Sequence, residues 1–283
     1  PLARAELRTD RPLRLPSVLR HLGPLTLETF VARIDGDRHP DEAWLWGARL
    51  AGRPHPRLTL GINRASLFGT EAEPATAGRV LRMFVGVIRN SDFENQVLSF
   101  DAAWRLPTED LVPATVYLEW GADDGAGALN EQPARIVGIR LPGAFSFPEL
   151  TLGAEYTRIQ ACCGHGSWYF NGTFRGNWAV RDRPLAHPLG GQGWEGMGYV
   201  EVDGDVLRLE GRGFARSRHD DNRFVFGGGN LFTPGHEGRS YGGSVEGVLR
   251  LARGVELRAG LYREDGDNNW REERRHVEVT ARF

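Results

Sequence analysis

Between positions 158 and 193 the sequence interleaves Trp168, Tyr169, Phe170, Phe174 and Trp178 with Asn171, Arg175, Asn177, Arg181 and Arg183. Such a mixture suits sugars, because the apolar face of a pyranose stacks on an aromatic ring while hydroxyls and carboxylates take planar amide and guanidinium donors. Trp168, Tyr169, Arg175, Trp178, Arg181 and Arg183 are therefore candidate ligand-binding residues, joined by Trp270 and Arg271 from a second polar segment at 265–271. The same aromatics can instead pack the segment against itself or into the mouth of a larger structure, and the sequence leaves both open. His187-Pro188-Leu189-Gly190 reads as a turn, since Pro fixes φ and Gly permits a positive one.

Other chemistry finds little support. Gly-x-Ser-x-Gly, His-Glu-x-x-His and phosphate-loop patterns are missing, and carboxylates are too frequent to single out a glycosidase pair, so no catalytic residue is nominated. A zinc site on Cys162, Cys163 and His165 lacks a fourth ligand. The clusters at 218–223 and 265–271 lack EF-hand spacing, so neither metal nor cofactor is expected. Adjacent cysteines exclude a long-range disulfide framework and leave free thiols or a strained vicinal bridge open. A net charge of -2 gives no electrostatic reason to expect nucleic acid. All 35 side-chain cations besides histidine are Arg, which fits a GC-rich genome or a preference for the guanidinium fork against carboxylates and sugar acids.

The elements that must position these residues read as strands. His276-Val277-Glu278-Val279-Thr280-Ala281-Arg282-Phe283 alternates polar and apolar to an aromatic end. Upstream, Arg253-Gly254 and Asp203-Gly204 mark tight hairpins, separated by the long polar segments 217–240 and 264–274. Short turns alternating with long loops fit a transmembrane β-barrel, short turns periplasmic and long loops outside. Keeping that parity requires 158–193 to be one long outer loop. Strands are expected at 28–35, 42–51, 57–68, 95–106, 113–121, 135–142, 148–158, 194–203, 205–217, 241–252, 254–264 and 274–283. Val80, Leu81, Phe84, Val85, Val87 and Ile88 recur at helical spacing, predicting a short helix over 76–89 that packs over or into the lumen. One alternating set, Arg208, Glu210, Arg212, Glu246, Arg250, Glu256, Arg258, Glu278 and Arg282, would face that lumen, since charge on the lipid face costs about 2–4 kcal/mol at the midplane.

The fold class expected is thus all-β, an antiparallel transmembrane barrel with about twelve strands in this chain. Residues 1–27 form a partial N-terminal segment and 28–283 the barrel. No run approaches the roughly 18 apolar residues of a membrane-spanning helix. The start at Pro1 carries no signal peptide, so one is expected to have been removed, with N-terminal strands missing.

Several stretches resemble the capsule assembly Wzi family of outer-membrane barrels: Arg57-Leu58-Thr59-Leu60-Gly61-Ile62-Asn63-Arg64 into Leu67-Phe68-Gly69, Asn95-Gln96 before Ser99-Phe100-Asp101, 117–124, and 183–190. The resemblance covers 25–283, and members are larger, with additional N-terminal structure. It implies a bacterial outer-membrane, non-catalytic protein that attaches or organises capsular or exopolysaccharide at the cell surface. Its partners would be outer-membrane lipid and lipopolysaccharide, the polysaccharide, and barrel-assembly machinery that reads the strand ending at Phe283. The alternatives are a porin-like diffusion channel, which needs a continuous open lumen, and a β-rich carbohydrate-active enzyme, which needs a second sheet over the apolar face.

Overall fold

A computed structural model describes residues 4–34, 43–71, 73–84, 93–108, 111–123, 133–160, 168–169, 173–174, 178–180, 183–185, 187–219, 225–226, 229–230, 237–252, 254–267 and 269–281. The strands are β1 (Arg4–Arg8), β2 (Leu25–Arg33), β3 (Trp44–His55), β4 (Leu58–Phe68), β5 (Glu94–Arg105), β6 (Thr115–Asp123), β7 (Ala134–Pro142) and β8 (Leu150–Ile159). The short β9 (Ala179–Val180) and β10 (Arg183–Pro184) follow, then β11 (Gly193–Asp203) and β12 (Leu207–Arg218). After β13 (Val225–Phe226) and β14 (Gly229–Asn230) come β15 (Gly238–Ala252), β16 (Val255–Gly266) and β17 (Arg271–Ala281). Helix α1 (Ala77–Phe84) lies between β4 and β5.

Thirteen of these strands form one antiparallel sheet in the order β1 to β8, β11, β12, β15, β16, β17, and β9–β10 and β13–β14 form separate ribbons. Because each long strand pairs with the next in the chain, connections fall alternately at the two ends. The short ones, at 56–57, 204–206 and 253–254, share one end, and the long ones, at 69–93, 160–192 and 219–237, share the other. Gly254 holds φ at 79°, which permits its two-residue turn without Cβ strain.

The register sorts every strand into the same two faces, since directly paired residues point the same way. One face carries Leu50, Leu60, Ile62, Phe100, Leu118, Val137, Val200, Leu209, Val245, Leu261 and Val277, all exposed. Covering such a side chain is worth roughly 1.5–3 kcal/mol, so this face calls for an apolar medium. The opposite face is polar. On it Arg49 grips Asp101 through two bonds of 2.8 Å, and Asn63 Nδ2 bonds both Asp101, at 2.9 Å, and Ser99, at 3.1 Å. Glycine lets aromatic rings lie flat here: a Cβ at Gly138 would stand 2.2 Å from Tyr117 Cζ, and one at Gly153 would stand 2.1 Å from Tyr199 Cζ.

Three expectations are corrected. Closure of the barrel is overturned, because among the described residues β1 pairs only with β2 and β17 only with β16, leaving an open sheet. Alternation and turn length report which way a side chain faces and where a strand reverses, and neither reports whether the two edges meet. The edges are heavily charged, with Arg4, Glu6 and Arg8 on one and Arg271 to Arg275 on the other, a composition that discourages unspecific strand addition. The loop expected at 158–193 contains the β9–β10 ribbon, and the sheet gains β1, so its described strands number 13.

The third correction concerns α1, which packs on the apolar face. Met83 is buried against Phe68 and Phe93, with Val31, Trp46 and Val80 around them. Phe84 meets Trp46 edge-on with centroids 4.7 Å apart. Positions 85–89 of the expected helix lie outside the described residues.

Candidate functional site

The described parts of 168–190 form a strap across the polar face at the end of the long connections. Apolar contacts seat it. Phe174 and Trp178 fill a core with Ile34, Ala43, Leu45 and Leu67, while Trp168 and Leu189 pack against Ile159. Trp168, Tyr169 and Trp178 run edge to face, with ring centroids 5.8 and 6.1 Å apart. With Trp168 1% and Trp178 4% exposed, these rings face protein. The burial explains why sheet positions that must be polar elsewhere are apolar beneath the strap, as at Leu45, Ala65, Leu67 and Val97.

Hydrogen bonds fix its register. Trp178 Nε1 donates to Asn95 Oδ1 at 2.6 Å, and the Tyr169 amide donates to Asp123 Oδ2 at 2.7 Å. Tyr169 takes a left-handed φ of 66°, a strained conformation for an aromatic residue that its packing and the Asp123 bond hold in place. Its phenol is pushed up by burial and by the charge of Asp123. The Trp168 amide donates to Gly191 O at 3.0 Å and that of Leu185 to Trp178 O at 2.5 Å, which ties the two limbs of the strap together.

His187 closes the strap. The Gly190 amide donates to His187 O at 2.9 Å and Gly190 has φ 84°, so His187-Pro188-Leu189-Gly190 forms a turn. The Leu189 amide donates to His187 Nδ1 at 3.1 Å, which assigns the proton of the neutral ring to Nε2, 3.3 Å from Thr157 Oγ1 and 3.8 Å from Glu195 Oε1. Burial, followed by the nearby guanidinium charges of Arg216 and Arg218, lowers the imidazole pKa to about 4. Neutrality is thus built into this contact.

Below the turn lies a buried charge cluster. Glu264 accepts from Arg218 at 2.8 Å, from Ser240 at 2.5 Å and from Tyr262, and Arg216 bridges it at 3.4 Å to Glu195 at 2.7 Å. Two guanidinium and two carboxylate groups balance, which is the condition under which buried charge is tolerated. Next to it a cavity of about 530 Å³ is lined by Tyr117, Tyr199, Phe214 and Tyr262 together with Glu155, Glu201, Arg212 and Arg216. Ring faces beside planar charged donors and acceptors are what a sugar or sugar acid requires.

The sequence candidates fall into separate groups. Trp168, Tyr169 and Trp178 come together under the strap. Arg183 lies on β10, while Arg175 and Arg181 lie outside the described residues. Trp270 and Arg271 sit apart, Trp270 6.0 Å from the Arg218 guanidinium and Arg271 2.5 Å from Asp265. The alternating charges Arg208, Glu210, Arg212, Glu246, Arg250, Glu256, Arg258 and Glu278 all share the polar face, as pairings such as Glu210 with Glu246 and Arg258 with Glu278 require. Arg258 approaches Glu246 at 3.6 Å and Arg250 approaches Asp203 at 3.4 Å. Arg282 and Phe283 lie outside the described residues. Four buried charged members of this face, Glu195, Arg216, Arg218 and Glu264, are not among the lumen-facing charges expected from alternation, Arg218 standing there only as the first residue of the polar cluster 218–223. The signal was available: Arg216 and Arg218 continue the parity of Arg208, Glu210 and Arg212.

The family model of the capsule assembly protein Wzi matches residues 1–274. Among solved structures, one similar chain is Wzi of Escherichia coli, described as an outer membrane protein involved in group 1 capsule assembly and a carbohydrate binding beta-barrel. It superposes with a TM-score of 0.70 at 16% identity, over 99% of this chain and 60% of that one. OccK5 (OpdH) of Pseudomonas aeruginosa superposes with a TM-score of 0.51 at 11% identity, over 91% of this chain and 66% of that one. At these identities the likeness is one of fold. A comparison with curated proteins gives no match.

Proposed function

This chain belongs to the capsule assembly protein Wzi family, and we propose that it binds capsular or related extracellular polysaccharide and holds it at the cell surface without making or breaking a bond. It is a protein of the bacterial outer membrane. Family membership carries the reading, and the two-faced sheet supports it, because an apolar face this large suits lipid while the polar face carries the sugar-compatible side chains. The strap spans the polar face, which counts against a diffusion channel.

Within this reading, the glycan is held where the strap meets the sheet. The cavity beside His187 offers Tyr117 and Tyr199 as stacking surfaces and Arg212 as a carboxylate partner. Trp168, Tyr169 and Trp178 serve by seating the strap, while Arg175, Arg181, Arg183, Trp270 and Arg271 are further candidates for contact with the glycan. The strand Arg271–Ala281 is the segment offered to assembly machinery. The test is surface retention. Cells whose only copy is the Tyr117→Ala, Tyr199→Ala variant should shed polysaccharide into the medium while outer-membrane levels of the protein stay normal. Full retention at normal levels would refute this site.

A further inference from the structure

Helix α1 has an apolar side that no part of the described protein covers. Its inner side is accounted for by Val80 and Met83, which pack on Trp46 and Phe68 of the apolar face. One residue further round, Ala77, Leu81 and Phe84 recur at the four- and three-residue spacing of a second stripe, with Leu81 64% exposed and Phe84, whose ring also meets Trp46 of the apolar face, 46% exposed. A surface helix normally turns a polar side outward, so a second apolar stripe needs an apolar neighbour.

Beneath the helix is a polar cluster on the same face as the exposed apolar side chains. Arg64 meets Glu94 at 3.5 Å, and Ser66 Oγ donates to the same carboxylate at 3.1 Å. Arg64 also donates to Met83 O at 2.9 Å, satisfying a carbonyl of the last helical turn where positive charge is favoured. The helix thus roofs an ion pair that would otherwise stand on the surface offered to lipid. It is held there by a specific bond and is not simply resting on apolar residues. Two arginines lie on the rest of the helix. Arg79 is paired with Glu73 at 2.5 Å, while Arg82 is exposed and bonds Gly78 O at 3.3 Å. The helix itself carries no acidic residue.

We propose that α1 is an interfacial helix of the outer leaflet: Ala77, Leu81 and Phe84 sit against lipid acyl chains, and Arg82 reaches the anionic headgroups above them. Three observations select a lipid surface as the occupant. The stripe is continuous with the apolar face of the sheet, the helix lies at the end of the long connections, and a cationic side chain borders an apolar stripe, the arrangement of helices that lie in a membrane interface. The inference rests on the outer-membrane placement of the sheet, and goes beyond polysaccharide binding, in which α1 has no part.

The experiment is site-directed spin labelling in a background carrying Cys162→Ser and Cys163→Ser. Leu81→Cys and, separately, Val245→Cys on the apolar face of β15 are labelled in protein reconstituted into vesicles containing phosphatidylglycerol. Collisions with oxygen, which partitions into hydrocarbon, are compared with collisions with a water-soluble nickel complex. Oxygen should dominate at both sites, and more deeply at Val245→Cys. Nickel dominating at Leu81→Cys with oxygen dominating at Val245→Cys overturns the interfacial helix and leaves the membrane placement standing; nickel dominating at both overturns the two together. Adding Arg82→Glu should shift the Leu81→Cys label toward water in anionic vesicles but not in phosphatidylcholine. An unchanged depth in both overturns the headgroup role of Arg82.

Discussion

Replacing Trp178 by Ala should release the strap while leaving the sheet intact. Trp178 is 4% exposed, packs with Phe174 and Leu67, and donates its indole N–H to Asn95 at 2.6 Å. Truncating a buried Trp costs about 3–5 kcal/mol. Because these contacts lie between the strap and the sheet, the loss should appear in the strap's local opening. At about 1.4 kcal/mol per tenfold, strap amides should exchange between roughly a hundred and a few thousand times faster. Hydrogen exchange reads this at Trp168, Tyr169 and Leu185, whose amides bond Gly191, Asp123 and Trp178 respectively. The β12–β15 ladder is the internal control. Trp178→Phe removes the hydrogen bond but keeps most of the packing, and should accelerate strap exchange by only about fivefold, the equivalent of about 1 kcal/mol. Strap exchange unchanged in Trp178→Ala would refute the idea that this side chain seats it.

Three further outcomes follow from the same geometry. His187 has a folded pKa near 4 against the ordinary 6.5, so its contribution is complete above pH 6.5 and is withdrawn as pH falls towards 4; that shift corresponds to about 3 kcal/mol, and protease sensitivity of the strap should rise across this window and be flattened by His187→Gln. Glu264→Gln leaves Arg216 and Arg218 under-compensated in a buried site and should destabilise the sheet by about 3–5 kcal/mol, measured as a lower urea midpoint, with Glu264→Asp milder. Gly153→Ala places a Cβ where the Tyr199 ring lies, so Tyr199 should leave its position over β8 and near-ultraviolet circular dichroism should change, whereas Gly196→Ala, which meets nothing within 4 Å, should leave it unaltered.

Much of this organisation is legible in the sequence, and the parts that are not have physical reasons. Strict alternation assigns Arg208, Glu210, Arg212, Glu246, Arg250, Glu256, Arg258 and Glu278 to one face, and the register places them there. The alternation does not show that Arg216, Arg218 and Glu264 of the same face become buried, because burial comes from what lies over a strand. The periodicity of Val80, Leu81 and Phe84 finds α1, but with apolar residues on two sides of the helix the pattern cannot say which side meets the sheet. The expected position over the lumen was therefore wrong. Likewise the aromatics of 168–178 announce themselves, while stacking on sugar and packing on Leu45 and Leu67 demand the same residue types. Strand facing and parity point to closure, yet both hold equally for the open sheet observed.

Polysaccharide binding is tested most directly with purified full-length protein in detergent and isolated capsular polysaccharide, measured by retention on immobilised glycan. Retention that is competed by soluble polysaccharide and lost in Tyr117→Ala, Tyr199→Ala is expected. A folded protein that no capsular or extracellular polysaccharide from its own cells retains would contradict it.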